Sequence, residues 1–252
     1  MTGWTGLIDV APLTLAGAAA MTFGAAYVRG LTGFGMAIIL VPLLGLIISP
    51  EEAVVLAILL QLLIGPVGIR VILADADRST AVPIALIAMA TTPIGMVALD
   101  ATPSDIARLL ITLAAVVAFV AVLLPKHPDG HQPTRAVVAG TGFASGILTG
   151  FAAMPGPPVV PFYLRRSLDP KVSRASMLLI FFGTAIAGTL AALWVGIATW
   201  KLFLIALILF PPMWLGNLVG ARHFGRVPAH VWQAMVAAVL GLAAISAVVR
   251  LL

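Results

Sequence analysis

The sequence has no cysteine, only nine acidic residues, and a charged fraction of 9% over 252 residues. Each shortage removes a class of protein. Without cysteine there is no disulfide framework, no thiolate metal site and no cysteine nucleophile. A charged fraction this far below the ~25% of an ordinary soluble domain excludes a soluble globule and a charge-rich disordered chain. The acidic residues Asp9, Glu51, Glu52, Asp75, Asp77, Asp100, Asp105, Asp129 and Asp169 all fall in loops or at the ends of apolar blocks. No carboxylate is therefore available at mid-membrane for a proton relay or a hard-cation site. The four histidines lie in loops as well, and Pro128 and Gly130 forbid the helix that would align His127 and His131 on a metal. Paired carboxylates, a phosphate-binding loop and a nucleophile–base set are missing too, so neither an enzyme nor a cofactor is expected.

What is abundant is hydrophobic: 62% of the chain, about 156 positions, with a mean hydropathy of +1.15. At roughly 20 residues per span these would fill about seven or eight membrane helices. The net charge of +5 comes from 14 Lys and Arg spread over many loops, which orients a membrane protein and does not mark a nucleic-acid binder. Met1 to Val10 carry Asp9 and no basic cluster, so the first apolar stretch is expected to stay as an anchor.

Polar punctuation cuts the chain into apolar blocks near 11–48, 53–73, 80–99, 106–124, 136–164, 175–198, 202–220 and 231–249. The expected class is an all-α polytopic membrane protein of about eight segments. The Pro-rich stretch 125–135 reads as a linker between a first repeat, 1–124, and a second, 136–252. Three matches in order support duplication: Leu31-Thr32-Gly33-Phe34 with Leu148-Thr149-Gly150-Phe151, Ser49-Pro50 with Asp169-Pro170, and Pro103-Ser104-Asp105 with Pro228-Ala229-His230.

The first and fifth blocks are too long for one span and are broken by Gly or Pro. If each crosses once, the basic residues divide almost evenly between the two faces. If each enters and returns as a hairpin, Arg70, Arg78, Lys126, Arg135, Arg165, Arg166, Lys171, Arg174, Arg222 and Arg226 share one face, leaving Arg108, Lys201 and Arg250 opposite. The second arrangement is what the positive-inside rule expects, so an inverted repeat of hairpin plus three spans is favoured, with both termini outside the cytoplasm.

The breaks carry the functional signal. The first has three glycines in six residues, Gly30, Gly33 and Gly35, and the second has three prolines in four, Pro155, Pro157 and Pro158. Backbone freed from helical pairing survives in hydrocarbon only inside protein or against a wet cavity. Two such places at matching repeat positions point to a transporter's binding site, and helix N-termini there suit an anion. Close helix packing is the structural alternative. Arg29, deep in the first block, is either a counter-charge in a polar cavity or a snorkelling arginine, and both readings stay open. Gln61 and Asn217 are amides within apolar blocks, able to hydrogen-bond an oxyanion.

At these residues the chain resembles the TauE/SafE family of sulfite-exporter-like membrane proteins. The match lies in Arg29-Gly30-Leu31-Thr32-Gly33-Phe34-Gly35 followed by Val41-Pro42-Leu43-Leu44. It continues in Gly146 to Gly150, in Met154-Pro155-Gly156-Pro157-Pro158, and in the duplicated layout. A run of three or four glycines found at the break in some relatives is absent here. The resemblance implies an inner-membrane transporter of bacteria carrying a sulfur-containing anion such as sulfite, sulfoacetate or another organosulfonate. The expected site joins Arg29, Gly30, Thr32, Gly33, Phe34, Gly35 and Gln61 to Thr149, Gly150, Met154, Pro155, Gly156, Pro157 and Asn217. Backbone N–H groups at the breaks would hold the anion, Arg29 would supply counter-charge, and Thr32, Thr149 and Gln61 would donate hydrogen bonds. The expected partners are a small anion and the lipid bilayer, not nucleic acid, with a homo-oligomer left open. The alternatives are a non-transporting scaffold subunit and an uptake transporter for another small organic anion.

Overall fold

The computed structural model describes residues 12–123 and 133–223, and among these it is all-helical. The helices are α1 (Pro12–Thr32), α2 (Met36–Leu44), α3 (Pro50–Ile64), α4 (Ile69–Asp75), α5 (Arg78–Asp100), α6 (Ser104–Leu123), α7 (Arg135–Ala152), α8 (Gly156–Leu164), α9 (Pro170–Val195) and α10 (Trp200–Arg222). Among the described residues α5, α9 and α10 are long and apolar enough to cross a membrane, and α3 with α4 makes a fourth if counted as one bent span. Outward faces are apolar as well, with Leu86 and Ile94 on α5, Leu113 and Val117 on α6, and Leu207 and Trp214 on α10 exposed. Such a surface suits lipid contact. The block 231–249 and most of the linker 125–135 lie outside the described residues.

α3 holds the centre. From Ala53 to Ile64 it is apolar on every side except at Gln61, the pattern of a helix surrounded by protein, and Ala53 through Gln61 are buried. Ser49 starts α3 with a capping box: its hydroxyl accepts the Glu52 N–H, and the Glu52 carboxylate accepts the Ser49 N–H. Asp169, the Ser49 match, accepts the Lys171 N–H at the start of α9. The block 53–73 reads as one span in the sequence, but the structure differs. After Ile64 the chain turns by 83° into the seven-residue α4. Gly68 enters α4 at φ 76, and a Cβ at Gly65 would overlap the Phe182 ring on α9. Gly65-Pro66-Val67-Gly68 is the turn signal, hidden by the apolar residues around it.

Each broken block leans on a helix from the other half. Along α1 and α10, a Cβ at Gly30, Gly216 or Gly220 would overlap the carbonyl oxygen of Asn217, Phe23 or Tyr27. Along α5 and α7, a Cβ at Gly95, Gly146 or Gly150 would overlap that of Ile147, Ala88 or Thr92. Lipid tails supply no hydrophobic drive between helices, so this close backbone contact, open only to small residues, supplies the packing. Residue numbers rise together in both pairs, so each is parallel: Phe23 meets Gly216 and Tyr27 meets Gly220, while Ala88 meets Gly146 and Thr92 meets Gly150. α5 and α9 are parallel too, since the Asp77 N–H reaches the Ser176 hydroxyl near both starts and Gly183 meets Ala85 and Met89 further along. Leu44, Ile47 and Ile48 share a cavity of about 80 Å3 with Thr14, Leu15 and Ala18. α2 thus finishes at the level where α1 begins.

At the other end, Asp77 binds the halves together. Its carboxylate pairs with Arg166, which also donates to the Thr80 hydroxyl at 3.0 Å and lies 5.8 Å over the Phe162 ring. Burial alone would raise the Asp77 carboxyl. Hydrogen bonds from Ser79, Arg166 and Thr80 and the Arg166 charge outweigh it and hold the carboxyl below its ordinary value.

Two outcomes follow for folding. Gly220→Val places methyl groups against the Tyr27 backbone and should lower stability by about 1–3 kcal/mol, whereas Gly140→Val, with open space around it, should not; melting of both variants in detergent checks this. Because the folded Asp77 pKa is depressed, its contribution is present above the ordinary carboxylate range and is lost as pH falls through the folded value. Asp77→Asn should therefore be less stable near neutrality and flatter below about pH 4, read from melting temperature against pH.

Candidate functional site

Two unwound turns build the site. In the first, Gly33 and Gly35 adopt φ 86 and 89, a region that glycine enters without strain. The Thr32 hydroxyl lies 2.9 Å from the Val28 carbonyl and 2.8 Å from the Phe34 carbonyl and accepts the Phe34 N–H, so it is spent on holding the turn. In the second, Ala153 takes φ 57. The Ala153 and Met154 N–H groups return to the Thr149 and Leu148 carbonyls at 2.8 and 3.1 Å, closing the end of α7.

The half-helices that follow, α2 and α8, start without a side-chain cap, as do α4 and α5, whereas Ser49, Thr134, Asp169 and Thr199 cap α3, α7, α9 and α10. The starts of α2 and α8 meet at one crevice of about 20 Å3, lined by Phe34, Gly35, Met36, Ala37 and Ile38 from one side and Met154, Pro155 and Gly156 from the other. Arg29, Gln61 and Phe181 complete it. The tips are unlike in donors. α2 offers the N–H groups of Met36, Ala37 and Ile38, which precede the first bond of that turn, from Ile39 N–H to the Gly35 carbonyl. Pro157 and Pro158 leave α8 with Gly156 alone in its opening positions.

Arg29, Gln61 and Phe181 also line an adjoining cavity of about 430 Å3, walled by the α3–α4 turn, the first turns of α9, and Asn217. Arg29 Nη1 donates to Asn217 Oδ1 at 3.0 Å, which fixes the guanidinium without neutralising it. Gln61 Nε2 donates to the Ala153 carbonyl at 3.1 Å and to the Ala57 carbonyl at 3.3 Å, tying the central helix to the second break. Arg174 Nη2 donates to the Gly30 carbonyl at 3.0 Å. Its stem runs past Gly33, where a Cβ would lie 2.8 Å from Arg174 Cγ. Three cations, Arg29, Lys171 and Arg174, thus line this cavity with one carboxylate, Asp75. A cleft lined by one dominant sign of charge draws in solutes of the other.

Of the residues singled out in the sequence, Arg29, Phe34, Gly35, Gln61, Met154, Pro155 and Gly156 line the crevice, and Asn217 the adjoining cavity. Gly30 and Gly33 touch Arg174, the first through its carbonyl and the second through its bare Cα. Pro157 sits in the opening turn of α8. Thr149 lies apart: it is buried and donates to the Ser145 carbonyl at 2.7 Å. Gly150 packs on α5. Arg174 is the residue that sequence reasoning missed, because a cation five positions after Asp169 reads as a loop charge. Gly33, whose bare Cα admits it, was the available signal.

Residues 18–247 match the model of the family described as Sulfite exporter TauE/SafE. The chain belongs to this family. TauE/SafE proteins are membrane transporters and not enzymes, and the apolar helices make this chain a multi-pass membrane protein. A relative from Cupriavidus necator, described as a probable sulfite/organosulfonate exporter TauE, is 25% identical over 215 residues, covering 83% of this chain and 84% of its own length. No solved structure matches the chain.

Accessibility tests the site, and this TauE/SafE chain has no native cysteine to interfere. Leu178→Cys, on the wall of the larger cavity, should react with an anionic thiosulfonate faster than with its cationic counterpart, and Thr149→Cys should stay unlabelled by either. Equal rates with the two reagents would remove the electrostatic argument.

Proposed function

We propose that this protein exports a small sulfur-containing anion, sulfite or an organosulfonate such as sulfoacetate, across the bacterial inner membrane. One observation carries the reading: two uncapped half-helix starts and the amide-held Arg29 converge on one crevice beside a basic cavity. Partial positive charge at helix N-termini, free N–H groups and a guanidinium are what an oxyanion needs. The name of the Cupriavidus necator relative supports the sulfur chemistry.

In this reading the halves 1–124 and 136–252, joined by the linker 125–135, form an inverted repeat of eight segments, each half opening with a re-entrant hairpin. The parallel course of α5 and α9 supports it. After α5 and a crossing by α6, the chain can start α9 on the side where α5 started only if α7 and α8 together return to their side of entry. The shared level of the α1 start and the α2 end supports the same path for the first hairpin.

Charge sets the orientation. Arg78, Arg135, Arg165, Arg166, Lys171 and Arg174 cluster at the end where α5, α7 and α9 begin, whereas Arg108 and Lys201 belong to the opposite end. The basic end faces the cytoplasm. The larger cavity then receives its solute from inside the cell, and an interior-negative potential favours exit by about 2.3 kcal/mol per charge per 100 mV. Obligatory proton coupling is not required.

Arg29→Gln tests the assignment. A lost charge-assisted bond of about 1.5–3 kcal/mol corresponds to a roughly 10- to 100-fold loss of affinity. Sulfite or sulfoacetate flux into proteoliposomes at clamped potential should fall by that order, with insertion and melting temperature near those of the unaltered protein. Unchanged flux would leave Arg29 as a snorkelling residue and end the proposal.

A further inference from the structure

We infer that the solute is held as a dianion, with Arg174 acting beside Arg29 as the residue that selects two negative charges over one. The inference rests on the anion-binding reading of the site and adds the charge class of the cargo. Arg29 and Arg174 line the same cavity, on α1 and α9. They are neighbours: Arg174 Nη2 bonds the carbonyl of Gly30, the residue following Arg29.

Local backbone chemistry is arranged to bring the second guanidinium there. Gly33 turns the chain at φ 86 and leaves no side chain where the stem of Arg174 passes. Any other residue at 33 would carry both backbone strain and a clash with that stem. Arg29 is oriented by a neutral amide, so its charge remains for the cavity. With Lys171 at the wall and Asp75 as the lining carboxylate, the lining sums to three positive charges and one negative, a net of +2. A bound monoanion leaves half of that uncompensated, and a dianion compensates all of it.

A purely structural account of Arg174 exists: it closes the last carbonyls of α1, as basic side chains near helix C-termini do. That role predicts equal damage to all anions when Arg174 is changed. Charge selection predicts greater damage to dianions than to monoanions, because one positive charge attracts two negative charges about twice as strongly as one.

Binding to the purified full chain at pH 8, read by calorimetry, separates these. Two pairs of probes differ by one charge at similar size: sulfate against methanesulfonate, and sulfoacetate against sulfoacetamide. For the unaltered protein, the dianion of at least one pair should bind at least tenfold tighter than its monoanion. Preference within the first pair puts both charges on one group, and preference within the second puts them at two ends; either supports the inference. Arg174→Gln should bring the ratio close to one by weakening the dianion by a larger factor than the monoanion, and Arg174→Lys should retain the preference. A ratio near one in the unaltered protein overturns the inference and leaves the anion site standing, as does a Gln variant that weakens both members of a pair equally. If none of the four probes binds, the anion-site reading fails and this inference falls with it. Should Arg174→Gln not fold, the ratio in the unaltered protein tests the charge class, and Arg174→Met, which keeps a stem past Gly33, tests the role of Arg174 by the same fall in ratio.

Discussion

A peptide group in hydrocarbon must find a hydrogen-bond partner or a polar neighbour, and this requirement shapes the fold. Two interruptions in otherwise apolar helices would each expose several such groups to lipid at a cost of several kcal/mol apiece. The chain meets the requirement by bringing the interruptions together and surrounding them with protein. α3 is apolar all round and can therefore sit at the centre, and its one mid-helix polar side chain, Gln61, reaches the Ala153 carbonyl in the second break. Arg174 does the corresponding work at the first, on the Gly30 carbonyl. Support comes from outside as well. Because α1 leans on α10 and α7 on α5 through glycine-to-carbonyl contacts, each half holds the other half's interruption in place.

Much of this was legible in the residues, for a physical reason. Gly and Pro mark places where a helix cannot continue, and an arginine far from either end of an apolar block demands a polar surrounding. The repeated Leu-Thr-Gly-Phe motif was less faithful. It equates Thr32 with Thr149 and Gly33 with Gly150, yet α1 stops at Thr32 whereas α7 continues to Ala152. The same four letters therefore form a turn in one half and a helix interior in the other. Both threonine hydroxyls are consumed by backbone, which hydrogen-bonding capacity read from a sequence does not reveal. The α3–α4 bend escaped notice because its glycines stand among apolar residues. Arg174 escaped because its neighbour Gly33 is far away in the chain and adjacent only in space.

The charge pattern and the packing tell one story. Asp77 and Arg166 join the turn before α5 to the turn after α8 at the basic end, close in sequence to Asp75 and Arg174 on the cavity wall. The cavity therefore opens beside the place where the halves are most firmly tied by polar contacts. The opposite end combines apolar packing, a capping box and the Ser104 hydroxyl donating to the Glu51 carboxylate at 2.8 Å.

Pro157 and Pro158 have a consequence for rates. Had both half-helix tips carried a full set of amides, a solute between them would be gripped alike whichever tip it left last. The proline pair leaves α8 with one amide, that of Gly156, in its first three positions, where α2 has three. An anion held between the tips would then leave past α8 with a larger rate constant than past α2, a kinetic lopsidedness written into two ring nitrogens.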